Sequence, residues 1–498
     1  MHTVPKQKLV PAMPSNSYHA ASLADFSNTL LNRCLRSTSD EEAPTWQLLY
    51  YGVIQETHAD ALLAVLARSG SEEQVWLTAD LSTREPWPSL ANDWPALLWP
   101  EREVWERTGY EPLDHPDLVP ILHPHLVDLE RRVEGAGVFS LPLGPVRADV
   151  SESAFFLFDT VGEQIMHLQP QLFYKHRGIE QIAIGKAAED VLLLAERISG
   201  TSTAAHASAC ASALEQAHRW QPPSHVLWER QLWVELERLY NHAHDLSQLA
   251  SAAGMTVGQA QLARVKEECL RLAADLTGSR YLRGAVQLFS SSNINWKTSL
   301  PHLEASLSAA DERLNHFIRL LSRTPTFIDR LVGTGTVKRE WADKYSLVGV
   351  TARACGVKTD MRHEFPAHYT GTGYEICTSS MAAGDAKSRF DVRVDEWNVS
   401  VRMVRNLARR LADTERTDTP APRHSPTEAW GVGFVEGARG RVAHVVVVAD
   451  GRVKFYGVRS ASSWIWPVFG LATANGNIQT DFPVIDASFG LSCAGMDR

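Results

Sequence analysis

The six cysteines of this 498-residue chain, Cys34, Cys210, Cys269, Cys355, Cys377 and Cys493, are so scattered that none lies within three residues of another. That distribution offers neither a zinc or iron-sulfur ligand spacing nor a disulfide framework, so the fold must be held by burial of apolar surface. Composition supplies the material: 44% hydrophobic and 21% charged residues are ordinary globular values. The length suits two or three domains. A formal charge of -9 leaves no basic excess for a phosphate backbone, so no nucleic-acid partner is expected. Free thiols fit a reducing cytosol. Met1-His-Thr-Val-Pro-Lys-Gln-Lys8 carries no apolar h-region, twin arginine or cleavage site. The longest strongly apolar run, Val445 to Ala449, has the length of a buried strand. No direct membrane span is predicted, and membrane contact is expected to come through partners.

Residues 1–45, with the polar run Ser37 to Pro44, read as a helix followed by a loop. Residues 46–134 read as a small α+β domain. Strand-like runs at Trp46 to Val53 and Val75 to Leu77 flank an alanine- and leucine-rich segment, Ala59 to Arg68, whose composition predicts a helix. Gly135, Gly137, Pro142 and Pro145 make a hinge into residues 138–498. There, helical patterns run from Ala187 to Arg323, and strand-like sequence occurs at Phe155 to Phe158 and again toward the C-terminus. Ala443 to Tyr456 is two apolar runs around Asp450-Gly451, a hairpin signal. The predicted class is α+β: a small N-terminal α+β domain followed by a mainly helical domain with a β-rich rim. The chain has no Gly-rich dinucleotide loop and no P-loop, so NAD(H), where it enters, is expected on another subunit.

Several motifs carry a resemblance. Glu101-Arg-Glu-Val-Trp105, Gly109 and His115-Pro-Asp-Leu118 resemble the signature of the smaller peripheral-arm subunit of complex I, where the segment is architectural. Gly144-Pro-Val-Arg147 and, nearly letter for letter, Leu172-Phe-Tyr-Lys-His-Arg-Gly-Ile-Glu180 resemble the large subunit of group 4 nickel-iron hydrogenases and the related quinone-site subunit of complex I. The order of small then large domain resembles the fused subunit of formate hydrogenlyase. Ala195-Glu-Arg-Ile-Ser-Gly-Thr-Ser-Thr-Ala-Ala-His206 resembles the first hydrogenase ligand motif, Arg-Val-Cys-Gly-Ile-Cys-x-x-Ala-His, with serines at both cysteine positions, Ser199 and Ser202. Aligning Asp497-Arg498 with the family's closing Asp-Arg puts the second ligand pair at Ser492 and Gly495, while Cys493 falls between them. Nickel in a redox site requires soft thiolates, which neither hydroxyls nor a glycine supply. No metal site is therefore predicted. The family's quinone donors are missing as well: its tyrosine position is Gly200 and its two histidine positions are Arg147 and Ser151.

What the resemblance leaves as candidates is polar. Glu152 matches a proton-transfer carboxylate of the hydrogenases; it could relay protons or pair with Arg147 or Arg197. Arg439 matches an arginine that overhangs the metal, and reads either as an anion-holding fork or as half of a buried ion pair. His206 and Arg197 complete the catalytic candidates. Lys175, His176 and Arg177 read as hydrogen-bonded core or interface groups. Ala352 to Arg362 and Gly384 to Arg393 read as helix-locking landmarks or as contacts with an iron-sulfur subunit. The resemblance implies an electron-transfer oxidoreductase subunit of a membrane-associated, complex I-like assembly of the NADH-quinone type. The alternative is a redox-silent subunit that couples an iron-sulfur protein to an ion-translocating membrane arm. It further implies a small iron-sulfur partner that carries the cluster, antiporter-like membrane subunits, no cofactor bound by this chain, and a cytoplasmic, peripheral position on the inner face of the cell membrane.

Overall fold

The N-terminal sheet buries apolar side chains on both faces, and a larger core lies among the helices and the C-terminal sheet, in a computed structural model that describes residues 17–34, 45–55, 60–81, 87–123, 131–147, 152–366, 376–416, 419–422 and 426–498. Strands β1 (Ser17–His19), β2 (Trp46–Gln55), β3 (Asp60–Arg68) and β4 (Gln74–Asp80) pair in the order β1-β4-β3-β2. Leu62, Ala64 and Leu66 of β3 face one core, and Leu63, Val65 and Ala67 face another. Because both faces are covered, the strand is a continuous apolar run without alternation. This corrects the expectation of a helix over Ala59 to Arg68: a short apolar segment of this kind carries no periodicity that separates a buried strand from a buried helix. Helix α1 (Leu23–Cys34), which buries Leu23, Phe26 and Leu30, and strand β1 belong to this same layer.

The small unit continues through β5 (Trp87–Pro88), α2 (Leu98–Thr108) and β6 (Pro112–Leu113). A second sheet, β7 (Val138–Leu143), β8 (Phe155–Val161) and β9 (Gln164–Gln171), opens the larger unit. Helices follow: α3 (Ile179–Ala183), α4 (Ala188–Ala195), α5 (Thr203–Ala217), α6 (Ser224–Ala252), α7 (Thr256–Thr277) and α8 (Trp296–Ser322). After them come α9 (Pro325–Leu331), α10 (Arg339–Lys344), α11 (Gly349–Ala354), α12 (Met361–Glu364) and α13 (Ala386–Asp413). A third sheet, β10 (Ala429–Gly437), β11 (Gly440–Ala449) and β12 (Arg452–Arg459), precedes α14 (Ala461–Ala474), α15 (Phe482–Phe489) and α16 (Ala494–Asp497). The hairpin turn is Asp450-Gly451, with φ of 50° and 74°, the left-handed pair that a two-residue turn of this twist requires. Among the described residues, no helix is long and apolar enough to cross a membrane.

Two contacts bring the site together. Helix α5 lies directly on β10, because Gly431 and Gly433 let backbone meet backbone: a Cβ there would stand 1.9 Å from the Ala213 carbonyl oxygen and 2.0 Å from that of Ala209. Helix α6 is buried along most of its length and packs against α7, α13 and α15. The N-terminus of α5, the middle of α6 and the chain after α15 therefore converge.

Candidate functional site

Ser199 and Ser492, from motifs almost three hundred residues apart, are hydrogen-bonded to each other in the interior, Oγ to Oγ at 3.1 Å, with Thr201 Oγ1 3.0 Å from Ser199 Oγ. Ser492 Oγ donates to Glu152 Oε1 at 3.1 Å and accepts from the Gly495 amide at 3.1 Å. With Ser199 on its remaining acceptor position, the Ser492 hydroxyl is fully used. The other Glu152 oxygen accepts from the amides of Cys493 and Ala494, the latter at 3.2 Å. Glu152 thus pairs with neither arginine expected for it. Arg147 is bonded to Asp486 at 3.1 Å and lies over the Phe156 ring, while the half-exposed Arg197 turns to the Leu193 carbonyl at 2.5 Å.

The four former ligand positions do not fit a nickel-iron centre. Two are hydroxyls spent on each other. At the third, Gly495, a Cβ would meet Ser460 Oγ at 3.1 Å, Ser460 Cβ at 3.2 Å and Ser492 Oγ at 3.5 Å, so even the stem of a cysteine has little room. The fourth, Ser202, starts α5 and its side chain makes no capping bond there. Among the described residues, no group of three or more His, Cys, Asp or Glu side chains is arranged to hold a metal ion. Of the former quinone positions, Gly200 is exposed, Arg147 is committed to Asp486, and Ser151 lies outside the described residues.

Arg439 is part of a buried ion pair. Its Nη1 donates to Asn241 Oδ1 at 2.9 Å, Nη2 to Asp245 Oδ1 at 3.2 Å, and Nε to the Gly490 carbonyl. Arg393 takes the other Asp245 oxygen at 3.2 Å. Burial alone would raise the Asp245 carboxyl; the two guanidinium groups outweigh it and hold it below its ordinary range. Asn241 Nδ2 reaches back to the Thr201 carbonyl at 2.8 Å. Arg439 therefore ties both former ligand loops to α6. His206 stands apart from this cluster: its Nδ1 is 2.9 Å from His444 Nε2, and His444 Nδ1 is 2.7 Å from Tyr456 Oη. Burial pushes His206 down to about 3, so the ring is neutral.

The sequence motifs did not reveal Glu237, Asn241 and Asp245. They lie four residues apart on one face of the buried helix α6, and that i, i+4 spacing was the available signal. Glu237 accepts from the Ala204 and Ala205 amides at 2.6 and 3.1 Å, and burial lifts its carboxyl to about 7. A buried ionic ladder extends from the same helix: Arg362 joins Glu235 at 2.9 Å and Asp360 at 2.8 Å, and Arg353 joins Glu396 at 2.6 Å and Glu436 at 2.9 Å. Of the charges in the Ala352 to Arg362 landmark, Arg353, Asp360 and Arg362 are thus interior, while Lys358 is exposed.

The two ends of the family signature are also joined. Asp497 accepts from the amides of Phe173 and Lys175 at 2.8 and 3.1 Å, and Arg177 grips the Arg197 and Ile198 carbonyls at 2.5 and 2.6 Å. Arg498 bonds Glu103 of α2 at 2.6 Å, Arg459 bonds the other Glu103 oxygen at 2.9 Å, and Arg107 bonds Glu180 at 2.7 Å. The architectural role expected of the Glu101-Arg-Glu segment thus takes the form of an internal lock between the two units.

Comparison with known proteins agrees with this geometry. Residues 31–132 match the family described as respiratory-chain NADH dehydrogenase, 30 Kd subunit, residues 177–273 match nickel-dependent hydrogenase, and residues 253–431 match respiratory-chain NADH dehydrogenase, 49 Kd subunit. Formate hydrogenlyase subunit 5 of Escherichia coli (strain K12) is 26% identical, the match covering 85% of this chain and 79% of that protein. Hydrogenase-4 component G of the same organism is also 26% identical, covering 88% and 81%. The fold is shared with a chain of a structure described as the membrane-bound sulfane sulfur reductase, an archaeal respiratory membrane complex, at a TM-score of 0.67, 20% identity, and 73% and 99% coverage. At superfamily level the chain belongs with the complex I and hydrogenase-related oxidoreductases, its 30 Kd-type unit fused to a 49 Kd-type unit in an architecture that resembles the formate hydrogenlyase and hydrogenase-4 large subunits, with no nickel-iron site among the described residues.

Proposed function

We propose that this chain is the large peripheral subunit of a membrane-associated, complex I-like oxidoreductase assembly, held on the inner face of the membrane by its partners. It would sit between a small iron-sulfur protein and antiporter-like membrane subunits, with residues 46–134 and 138–498 as its two units. Within that assembly the vacated pocket acts as a mechanical joint rather than a redox centre. The observation that carries this reading is the direct Ser199–Ser492 hydrogen bond at 3.1 Å, with Glu152 closing the cluster from a third segment. Hydroxyls that satisfy one another offer no soft donor to a metal and no free donor to an acceptor, yet they bind three loops into one unit. Movement of any one of those loops is thereby passed to the others.

A second reading, in which electrons from the iron-sulfur partner reach an acceptor held by this chain, is favoured by Glu237. A buried carboxyl lifted to about 7 beside the Arg439 cluster is suited to follow an electron with a proton. One experiment separates the two. The assembly is purified anaerobically, the partner cluster is reduced, and its reoxidation by quinones and sulfur compounds is followed by electron paramagnetic resonance. The joint predicts that Ser199→Ala and Ser492→Ala leave reoxidation rates unchanged while lowering ion translocation. Reoxidation that is lost in Glu237→Gln, with assembly intact, would move the chemistry into this chain.

A further inference from the structure

A cavity of about 730 Å³ lies between the two units, walled by α2 of the smaller one and by β9, α10 and α14 of the larger. Its size and interdomain position are those of small-molecule sites. Four aromatic side chains, Trp99, Trp341, Tyr345 and Trp466, line it together with Leu471 and Met166. The polar end is built from Arg102, Asp117, Arg132 and Gln169. Arg102 Nη2 donates to Asp117 Oδ2, and Arg132 Nη2 donates to Asp117 Oδ1 at 3.0 Å. Two guanidinium groups thus share one carboxylate, while a second carboxylate beside them, Asp159, is turned to the Arg132 and Val133 amides at 2.8 and 3.2 Å. Burial holds His167 below its ordinary range, against the opposing pull of Asp159 at 3.8 Å. Glu106, a further carboxylate near Arg102, is turned to the Ile121 and Leu122 amides at 2.6 and 2.8 Å.

Two polar atoms in the wall have no partner among the described residues: Arg102 Nε, a donor, and Gln169 Oε1, an acceptor, both buried. Leaving such atoms unpaired is unfavourable, a cost that a ligand can remove. We infer that this cavity binds a small aromatic monoanion: a planar apolar body between the indole rings, an anionic oxygen on Arg102, and a hydroxyl or amino hydrogen on Gln169. The site touches the vacated pocket through one residue, since Trp466 Nε1 donates to the Ser492 carbonyl at 3.3 Å.

The test uses the full-length chain and 6-hydroxy-2-naphthoate as probe, with binding read by calorimetry and by quenching of tryptophan fluorescence. Saturable one-to-one binding is expected, weakened about tenfold when the carboxylate is replaced by a neutral hydroxymethyl group and by a similar factor in Arg102→Gln, as for loss of one charge-assisted hydrogen bond. Gln169→Leu and the cavity-filling Ala474→Trp leave Arg102 and its ion pair in place, so they decide the matter if Arg102→Gln fails to fold. Both should weaken binding. No binding at millimolar probe, equal affinity for the neutral analogue, or unaltered affinity in both Gln169→Leu and Ala474→Trp would overturn the assignment.

Discussion

Two buried polar regions of this chain have opposite characters. The lock formed by Glu103, Arg107, Glu180, Arg459 and Arg498 keeps full charges, each paired by opposite charge, and joins the two units. The pocket formed by Ser199, Thr201, Ser492 and Glu152 has become mainly a hydroxyl cluster, whose one carboxylate is held by a hydroxyl and backbone amides rather than by an opposite charge. The difference teaches what each region has to do. Removing one partner from a charged set strands a charge in the interior, whereas removing a hydroxyl from the pocket loses hydrogen bonds without stranding a charge. The first arrangement resists change, and the second tolerates it.

The largest effect should come from the lock. Glu103→Ala leaves Arg498 and Arg459 with only part of their counter-charge and should lose about 3–5 kcal/mol in urea unfolding. A loss below about 1 kcal/mol would break the comparison. Next is the scaffold beneath the pocket: Gly433→Ala drives a Cβ into the Ala209 carbonyl of α5 and should cost about 1–3 kcal/mol by the same assay.

Acidity sharpens the contrast. Burial would raise the Glu103 carboxyl, but Arg459 and Arg498 overcome it and hold it at about 2. Its contribution is therefore present above the unfolded value of about 4.3 and is lost as pH falls toward 2. Glu237 runs the other way. Lifted to about 7 by burial, it is neutral in both states below about 4.3, and it destabilises the fold progressively as pH rises from there to 7. Stability measured against pH should show the Glu103→Gln deficit shrinking on acidification. Over the same titration, Glu237→Gln should gain on wild type between about pH 4.3 and 7. The smallest effect belongs to the pocket itself: Ser199→Ala should cost about 1 kcal/mol, because Ser492 keeps Glu152 and the Gly495 amide.

Much of this was legible in the sequence because it is local. The serines and the glycine at the ligand positions can be read directly, and the Asp450-Gly451 turn and the helices from α4 to α8 follow from residue type and period. The helix expected at Ala59 to Arg68 failed because β3 is buried on both faces, which erases the alternation that marks a strand. Nothing near Glu103 in the sequence points to its partners, since Arg459 and Arg498 stand more than three hundred residues away. Asn241 and Asp245 sit in no motif, so Arg439's choice between fork and ion pair needed the packing of α6 to be seen. Sequence spacing also groups Ser202, Gly200 and Arg197 with Ser199. The turn before α5 sends only Ser199 inward to Ser492, while Gly200 and Arg197 are exposed.

The central claim is that hydrogen bonds among side chains of this chain occupy the place of a metal. Elemental analysis of the anaerobically purified assembly, normalised to the amount of this chain, tests it most directly. The account predicts nickel far below one atom per chain, unchanged in Ser492→Ala; one nickel per chain, released when Ser199 and Ser492 are both replaced, would contradict it.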